Sequence, residues 1–209
     1  VSQEQLQKCL FPLEGISKDE VRKIARELEL DIANKKDSTG VCFIGERNFT
    51  KFLTNYLPNI PGKMVNINTN EVMGEHIGLM YYTIGQRRGL DIGGTEGRCY
   101  VVGKSIEKNI LYVAIGDNSD ALISDSAVIE NVNLFNDKVN KCTAKFRYRQ
   151  EEEPVEVEYL SDTEVLVKYP QGIKSVTPGQ ACVFYNGEEC LGGGIIKEVR
   201  KNNEKLWYL

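Results

Sequence analysis

The chain has 209 residues, of which 41% are hydrophobic and 27% are charged, so it is long enough to bury a substantial core. Its formal net charge of −4 argues against a strongly basic nucleic-acid-binding protein but is compatible with a local basic face. The six cysteines are too few for a disulfide scaffold, and with no Cys-x-x-Cys pair and one histidine they also disfavour a metal site. No apolar run reaches the roughly 18 residues that cross a membrane. We therefore expect a cytoplasmic protein with reduced thiols.

The first element in chain order is a helix near the N-terminus. Ser17 and Glu20 have the spacing of a capping box, in which each side chain bonds to the backbone of the other residue. Apolar residues then recur at helical spacing, namely Val21, Ile24, Ala25 and Leu28. The pattern predicts a helix from about residue 18 to about residue 30.

A glycine-punctuated loop follows at residues 37–45, with the sequence DSTGVCFIG. It places Cys42 between Gly40 and Gly45, and basic residues flank the loop at positions 35, 36 and 47. Glycine permits a close approach to the backbone, and nearby cations favour the reactive thiolate. Two interpretations stay open, because Cys42 is either a reactive thiol or a small buried apolar side chain.

From Pro61 onward the hydrophobic period becomes that of strands. A small central β domain is predicted from strand-like segments at residues 64–67, 71–74, 100–104 and 110–114. Residues 85–97 form a long glycine-rich loop between these segments, and loops of this length are usually functional or mobile.

Beyond about residue 125 the sequence has only strand-like segments, which turn residues separate. They lie at residues 127–133, 141–149, 154–159, 164–169, 181–185 and 190–199. Six short strands predict a small closed antiparallel barrel. The predicted fold class is therefore mainly β, with an N-terminal helical segment, a small central β domain and a six-stranded antiparallel β-barrel.

Two clusters of basic residues are candidates for contact with phosphate. Arg87 and Arg88 lie between Gly85 and Gly89, where they either contact phosphates, tether the loop or face solvent. Residues 145–150, KFRYRQ, alternate along a predicted strand and place three cations on one face. That face suits an RNA backbone and stacked bases, or it is a solvated face that balances the acidic residues 151–153.

Three further features favour structural roles. The run Gly192–Gly193–Gly194 lacks the Lys-Ser/Thr of a phosphate loop, so a strand bulge or close strand approach is preferred. His76 has no Cys or carboxylate motif beside it, so we prefer a structural histidine to a base. We expect inert or packing roles for the other cysteines, at positions 9, 99, 142, 182 and 190.

Taken together, these segments resemble the bacterial tRNA-specific 2-thiouridylases. Residues 35–47, KKDSTGVCFIGER, match the second catalytic-cysteine loop of that family throughout. Further matching segments follow in the family's order at residues 78–90, 147–150, 177–180 and 190–196. The resemblance implies that an N-terminal ATP-binding domain precedes this region and that the chain is the C-terminal part of a larger enzyme.

The resemblance also implies a chemistry, namely transfer of persulfide sulfur to the ring-position-two carbon of the wobble uridine after ATP-dependent adenylation. Cys42 matches the persulfide-bearing cysteine, and Asp37, Ser38, Gly40 and Gly45 match the residues that support its loop. ATP with Mg would bind the absent domain, so we expect no cofactor or metal on this chain. A second cysteine on that domain would assist release of the product through a disulfide.

The implied partners are tRNA and a sulfur-donor protein, either a sulfur-relay protein or a cysteine desulfurase. With the resemblance, RNA contact becomes the preferred role for Arg147, Tyr148, Arg149, Gln150, Gln180, Arg87 and Arg88. The implied domains are a catalytic remnant at residues 1–48, the central domain at 49–125 and the tRNA-contacting barrel at 126–209. We expect the chain to be inactive alone. The alternatives are a stand-alone RNA-binding barrel with a structural cysteine, or a redox sensor that uses Cys42.

Overall fold

The computed structural model describes residues 1–36, 52, 54–135 and 138–209. The predicted Cys42 loop lies outside the described residues. The chain divides into two compact units, Val1–Leu57 and Pro58–Leu209, and each is described on its own.

The first unit contains two helices, α1 at Gln3–Leu6 and α2 at Lys18–Glu27, and a 3-10 turn at Asp31–Asn34. The predicted capping box begins α2. The Glu20 N–H donates to Ser17 Oγ at 3.3 Å, and the Ser17 N–H donates to the Glu20 carboxylate at 2.9 Å. These bonds lower the pKa of the Glu20 carboxyl, because the charged form is the better acceptor.

Helix α2 ends at Glu27, three residues before the predicted end. Glu29 has a φ of 51°, in the left-handed region, so the chain leaves the helix there. The N–H of Leu30 then bonds to the carbonyl of Ala25 at 2.9 Å, which closes a Schellman motif. The sequence did not signal this end because glycine, the usual residue at the left-handed position, is absent.

The second unit begins with a four-stranded sheet of β1 (Gly62–Asn66), β2 (Val72–His76), β3 (Cys99–Ser105) and β4 (Ile110–Ile115). The strand order is β2-β1-β4-β3, with β1 and β4 parallel and the other pairs antiparallel. One face of the sheet packs against the 79–92 connection, and the other packs against the C-terminal residues 206–209. Both faces are therefore buried, which explains the near-continuous burial of β3 and β4.

The remaining strands form the predicted barrel. They are β5 (Ile123–Leu134), β6 (Lys141–Lys145), β7 (Glu153–Tyr159), β8 (Val165–Lys174), β9 (Ala181–Asn186) and β10 (Glu189–Lys201), with a short β11 (Glu204–Lys205) beside the end of β10. The neighbour order β10-β5-β8-β7-β6-β9 closes through antiparallel pairing of β9 with β10. Inward side chains fill the barrel, including the fully buried Tyr169 and Phe184. The fold class predicted from the sequence is confirmed.

One predicted strand was too long. Strand β6 ends at Lys145, whereas the prediction extended it to residue 149. Gln150 folds the chain back, because its side-chain oxygen accepts from the Phe146 N–H at 3.1 Å and its own N–H donates to the Arg147 carbonyl at 3.0 Å. Arg147 and Arg149 therefore lie in a turn and do not share a strand face with Lys145.

The triple glycine has the predicted structural role. Strand β10 pairs with β5 on one side and β9 on the other, and its register shifts at Cys190/Gly192 and Gly193/Ile195. A Cβ atom at Gly193 would lie 2.3 Å from the Cys182 carbonyl oxygen, so only glycine fits between the neighbouring backbones.

Candidate RNA-contacting surface and cysteine thiols

The predicted catalytic residue Cys42 and its loop residues Asp37, Ser38, Gly40 and Gly45 lie outside the described residues. Their roles stay predictions from sequence.

The five described cysteines are all free thiols, but their accessibility differs. Cys99 and Cys182 are buried, and burial raises the pKa of the Cys182 thiol. Burial also raises the pKa of Cys142 to about 11. Cys9 and Cys190 are exposed, so the packing role predicted for Cys190 was wrong. Cys190 is the second residue of β10, just after the Asn186–Gly187 hairpin turn, and is exposed.

The predicted structural role of His76 agrees with its position. Its side chain is 1% exposed, and its Nε2 lies 3.1 Å from the carbonyl oxygen of Asn109. A general base must reach its substrate, and so deep a position prevents this.

Three of the predicted RNA-contacting residues line one shallow cleft on the barrel. Arg147, Arg149 and Gln150 form one wall, and the end of β8 with Glu153 forms the other, around a volume of about 390 Å³. Lys174 also lines this cleft, although the sequence did not single it out. Three cations and one carboxylate give the cleft a net positive charge, which suits a phosphate group.

The turn that carries the arginines projects into solvent. Tyr148 at its tip is 92% exposed, a large aromatic surface without a covering side chain. Lys145, by contrast, pairs with Glu152 at 3.4 Å and lies 5.2 Å from the Tyr185 ring. The solvated, charge-balanced interpretation therefore applies to Lys145. Within the described part of the chain, neither Arg147 nor Arg149 forms an ion pair.

A second predicted cluster meets the first at one residue, Ser175. The Nη2 of Arg147 donates to the Ser175 carbonyl oxygen at 3.2 Å. Gly85, which begins the double-arginine loop, packs so closely that a Cβ there would lie 2.7 Å from Ser175 Oγ. Ser175 itself has a φ of 58°. We call this meeting point, formed by Gly85, Arg147, Ser175 and Thr177, the Ser175 junction.

Arg87 and Arg88 are exposed in the loop that leaves this junction. Gln86 braces the loop, because its side chain accepts from the Thr83 N–H and donates to the Arg88 carbonyl, both at 2.9 Å. The tethering role that the sequence allowed for the arginines therefore belongs to Gln86. Both guanidinium groups extend from a braced backbone.

Gln180 ends a tight turn beside the same junction. The turn has Pro178 second and Gly179 third, with a φ of 84° at the glycine, as a type II turn requires. Backbone bonds of 2.8 Å from Gly179 to Ile196 and from Ile196 to Gln180 fix the turn against β10. The Thr177 hydroxyl donates to the Ser175 carbonyl at 2.9 Å. The 177–180 turn, the Arg147 side chain and the loop that begins at Gly85 therefore all contact Ser175.

The described residues contain no group of three or more His, Cys, Asp or Glu side chains that could hold a metal ion. In the same part of the chain, no helix has both the length and the apolar character needed to cross a membrane.

Comparison with known protein families divides the chain into three matched segments. A family model described as a tRNA methyl transferase HUP domain matches residues 1–46. A tRNA methyl transferase PRC-barrel domain matches residues 50–115, and an aminomethyltransferase beta-barrel domain matches residues 124–196.

Curated relatives match the whole chain. The tRNA-specific 2-thiouridylase MnmA of Mycoplasmopsis synoviae is 51% identical over 211 residues, covering 100% of this chain and 56% of that protein. The proteins of the same name from Bacillus velezensis and Bacillus subtilis are 53% and 50% identical, and the chain covers 57% of each. The chain thus spans a little more than half the length of these relatives. The similarity to proteins named tRNA-specific 2-thiouridylase is therefore continuous along the chain.

Proposed function

We propose that this chain is the part of a tRNA 2-thiouridylase that carries the persulfide-bearing cysteine and contacts the tRNA. The observation that carries the proposal is similarity of at least 50% identity to named 2-thiouridylases along the entire chain. The family models are described as methyl transferase domains, but each covers only one segment. The proposal therefore rests on the relatives that match the whole chain.

In this proposal Cys42 accepts sulfur from a donor protein and presents it to the wobble uridine. A thiolate attacks the terminal sulfur of the donor persulfide, and the donor leaves as a thiolate. The resulting Cys42 persulfide is the nucleophile toward the ring-position-two carbon of the uridine. Asp37, Ser38, Gly40 and Gly45 shape the loop that presents Cys42.

ATP with Mg would supply activation of the uridine by adenylation, so that the ring-position-two oxygen would leave with AMP when the persulfide sulfur attacks. This sequence has no glycine- and serine-rich phosphate loop, so residues outside the chain would hold ATP, and the chain alone would be inactive. A second cysteine, also outside the chain, would release the product through a disulfide with Cys42.

The tRNA contacts are assigned to residues that converge on the Ser175 junction. Its carbonyl anchors both the Arg147 side chain and the 177–180 turn, and the Arg87–Arg88 loop packs against the same residue. Arg149 and Gln150 extend the surface along the neighbouring cleft, and the exposed Tyr148 lies at the tip of the same turn. Such a surface would bind the tRNA backbone while a uridine flipped out of its stack reaches the Cys42 thiol.

The proposal retains three domains, with a catalytic remnant at residues 1–48, a central β domain at 49–125 and the tRNA-contacting barrel at 126–209. It also retains a cytoplasmic location and a sulfur-relay protein or cysteine desulfurase as donor.

Replacement of the thiol tests the chemistry. In cells whose only copy of the protein carries Cys42→Ser, we expect 2-thiouridine to disappear from tRNA, because a hydroxyl cannot carry a persulfide. The purified variant should bind tRNA within about threefold of the parent, a change below 1 kcal/mol. Cys9→Ser and Cys190→Ser are matched controls, since both thiols are exposed, and they should retain the modification. Normal 2-thiouridine in the Cys42→Ser strain would contradict the assignment.

Salt dependence tests the RNA surface. Each lost phosphate contact should lower the slope of log affinity against log salt by roughly 0.7 to 0.9. The double variant Arg147→Ala, Arg149→Ala should therefore bind tRNA more weakly and with a smaller slope. Gln180→Ala should weaken binding without changing the slope, because its side chain is neutral.

Lys145→Ala is the charged control for that titration, since this lysine already pairs with Glu152. It should leave the slope close to that of the parent. An unchanged slope for the double arginine variant would return these arginines to a solvent-facing role.

Alkylation distinguishes the enzyme from an RNA-binding module whose Cys42 is merely structural. Exposed Cys9 and Cys190 would obscure a comparison of all six thiols, so the assay needs the Cys9→Ser, Cys190→Ser background. In that background, fast modification of Cys42 supports the enzyme, and protection of Cys42 supports the module. If the protein were a redox sensor, Cys42 would be alkylated equally fast, but tRNA thiolation would stay intact in the Cys42→Ser strain.

A further inference from the structure

Trp207 lines a cleft to which the proposed function assigns no role. The cleft encloses about 620 Å³ between the turn after β3, the turn at Thr177–Pro178 and the C-terminal residues. This volume lies within the roughly 300–1,000 Å³ of small-molecule sites. Trp207 is the single tryptophan of the sequence, and it is 67% exposed. We call this feature the Trp207 cleft.

Although exposed, Trp207 is held in place by its neighbours. The carbonyl of Tyr208 accepts from the Lys104 N–H, and the Tyr208 hydroxyl donates to the Ala121 carbonyl, both at 2.9 Å. The Trp207 ring meets the Tyr112 ring edge-on, with centroids 5.1 Å apart. A fixed aromatic surface loses little conformational entropy when a flat ligand stacks on it.

The cleft also contains positive charge. Lys104 donates to the carbonyl of Tyr82 from a half-buried position, and the loss of solvation lowers its pKa. An ammonium group has three N–H donors, of which the Tyr82 carbonyl takes one. Lys108 and Glu107 lie on the neighbouring turn and also line the cleft. Among the residues that the structure describes, neither lysine pairs with a carboxylate.

The cleft is continuous with the proposed RNA surface. Thr177 lines the cleft, and its hydroxyl bonds to the Ser175 carbonyl that also accepts from Arg147. Ile84, which also lines the cleft, immediately precedes Gly85 of the Ser175 junction. The cleft and the Ser175 junction therefore share Thr177 and lie beside one another.

We propose that the Trp207 cleft binds one nucleotide of the tRNA, with the base against Trp207 and a phosphate at Lys104 and Lys108. An aromatic face beside cations is the arrangement by which proteins hold single-stranded nucleic acid. Assigning tRNA as the source of the nucleotide rests on the proposed function. A free mononucleotide offers the same chemistry, so the test separates the two sources.

Fluorescence of the single tryptophan reports directly on occupancy. The 209-residue chain is titrated with tRNA, with UMP and with AMP, under excitation that tyrosine does not absorb. We expect saturable quenching by tRNA and little quenching by either mononucleotide at the same concentration. Quenching by mononucleotides as strong as that by tRNA would overturn tRNA as the source.

Two variants test the assigned contacts by filter binding. Trp207→Ala should weaken tRNA binding by about 5- to 150-fold, the range for loss of one stacked base, and Trp207→Phe should recover most of it. Lys104→Met keeps the apolar stem and should lower the salt slope by roughly 0.7 to 0.9. Lys63→Met, on the exposed side of β1 outside the cleft, is the matched control and should not change the slope.

The failure of this inference is distinguishable from failure of the proposed function. If tRNA binds on filters but neither quenches Trp207 nor responds to Lys104→Met, the cleft proposal is wrong and the proposed function stands. If neither tRNA nor mononucleotides quench the fluorescence and tRNA does not bind at all, both are wrong.

Discussion

The helical unit Val1–Leu57 and the barrel bury their apolar side chains to very different extents. Among the described residues of the helical unit, Ala33 alone is buried, while Leu10 is 90% exposed and Leu28 is 65% exposed. In the barrel, by contrast, Tyr169 and Phe184 are almost completely inaccessible. Helix α2 has well-formed caps at both ends, yet none of its residues is buried.

The difference shows that local signals can define an element without giving it a core. The caps of α2 connect residues three to five positions apart, and their bonds form within one turn of helix. The barrel depends on pairing between strands that are distant in sequence, such as β5 with β10. A change in the barrel should therefore affect many strands, and a change at a cap should stay local.

The largest expected effect is at the closure of the barrel. Gly193→Ala places a Cβ 2.3 Å from the Cys182 carbonyl oxygen and 3.1 Å from the Val183 Cα, so β9 and β10 must separate. We expect a loss of about 3 kcal/mol or more in the free energy of unfolding, measured by denaturant titration. Gly93→Ala is the control, since its Cβ would meet open space, and it should change stability by less than about 0.5 kcal/mol. Equal midpoints for the two variants would show that the barrel adapts at its closure.

A smaller and more local effect is expected at the N-terminus of α2. Ser17→Ala removes the acceptor for the Glu20 N–H and should cost the helix about 1 kcal/mol. Amide hydrogen exchange should accelerate across residues 18–28, while exchange in the barrel strands should not change. Ser2→Ala, which removes the matching cap of α1, should leave residues 18–28 unaffected. Faster exchange in the barrel of the Ser17→Ala variant would mean that the two units are coupled.

The smallest expected effect is a pH dependence confined to the same cap. Hydrogen bonds from Ser17 lower the pKa of Glu20 from 4.5, so its stabilisation is present above the unfolded pKa and is lost as pH falls through the folded one. NMR shifts of residues 18–28 should therefore move toward disordered values on acidification below about pH 4.5. Glu20→Gln keeps an acceptor for the Ser17 N–H and should abolish this acid step. A step that persists in Glu20→Gln would assign it to another carboxyl.

The sequence identified many residues of the candidate site but did not show that they form one surface. Arg87, Arg88, Arg147 and Gln180 were singled out from short segments, and the resemblance supplied their shared role. That three of these segments meet at Ser175 had no sequence signal, because the contacts join residues up to 90 positions apart. The alternation of residues 145–149 predicted one strand face. In the structure, the hydrogen bonds of Gln150 fold residues 146–150 into a turn instead.

By itself, the sequence determined the features that depend on near neighbours. It predicted the capped start of α2, the six barrel strands and a structural role for Gly193, because capping, alternation and lack of a Cβ act within a few residues. Only the tertiary structure decided which strands close the barrel, which of the described arginines lack ion pairs and how far Trp207 is exposed. These properties depend on which distant segments pack together, and the burial of each side chain is the result of that packing.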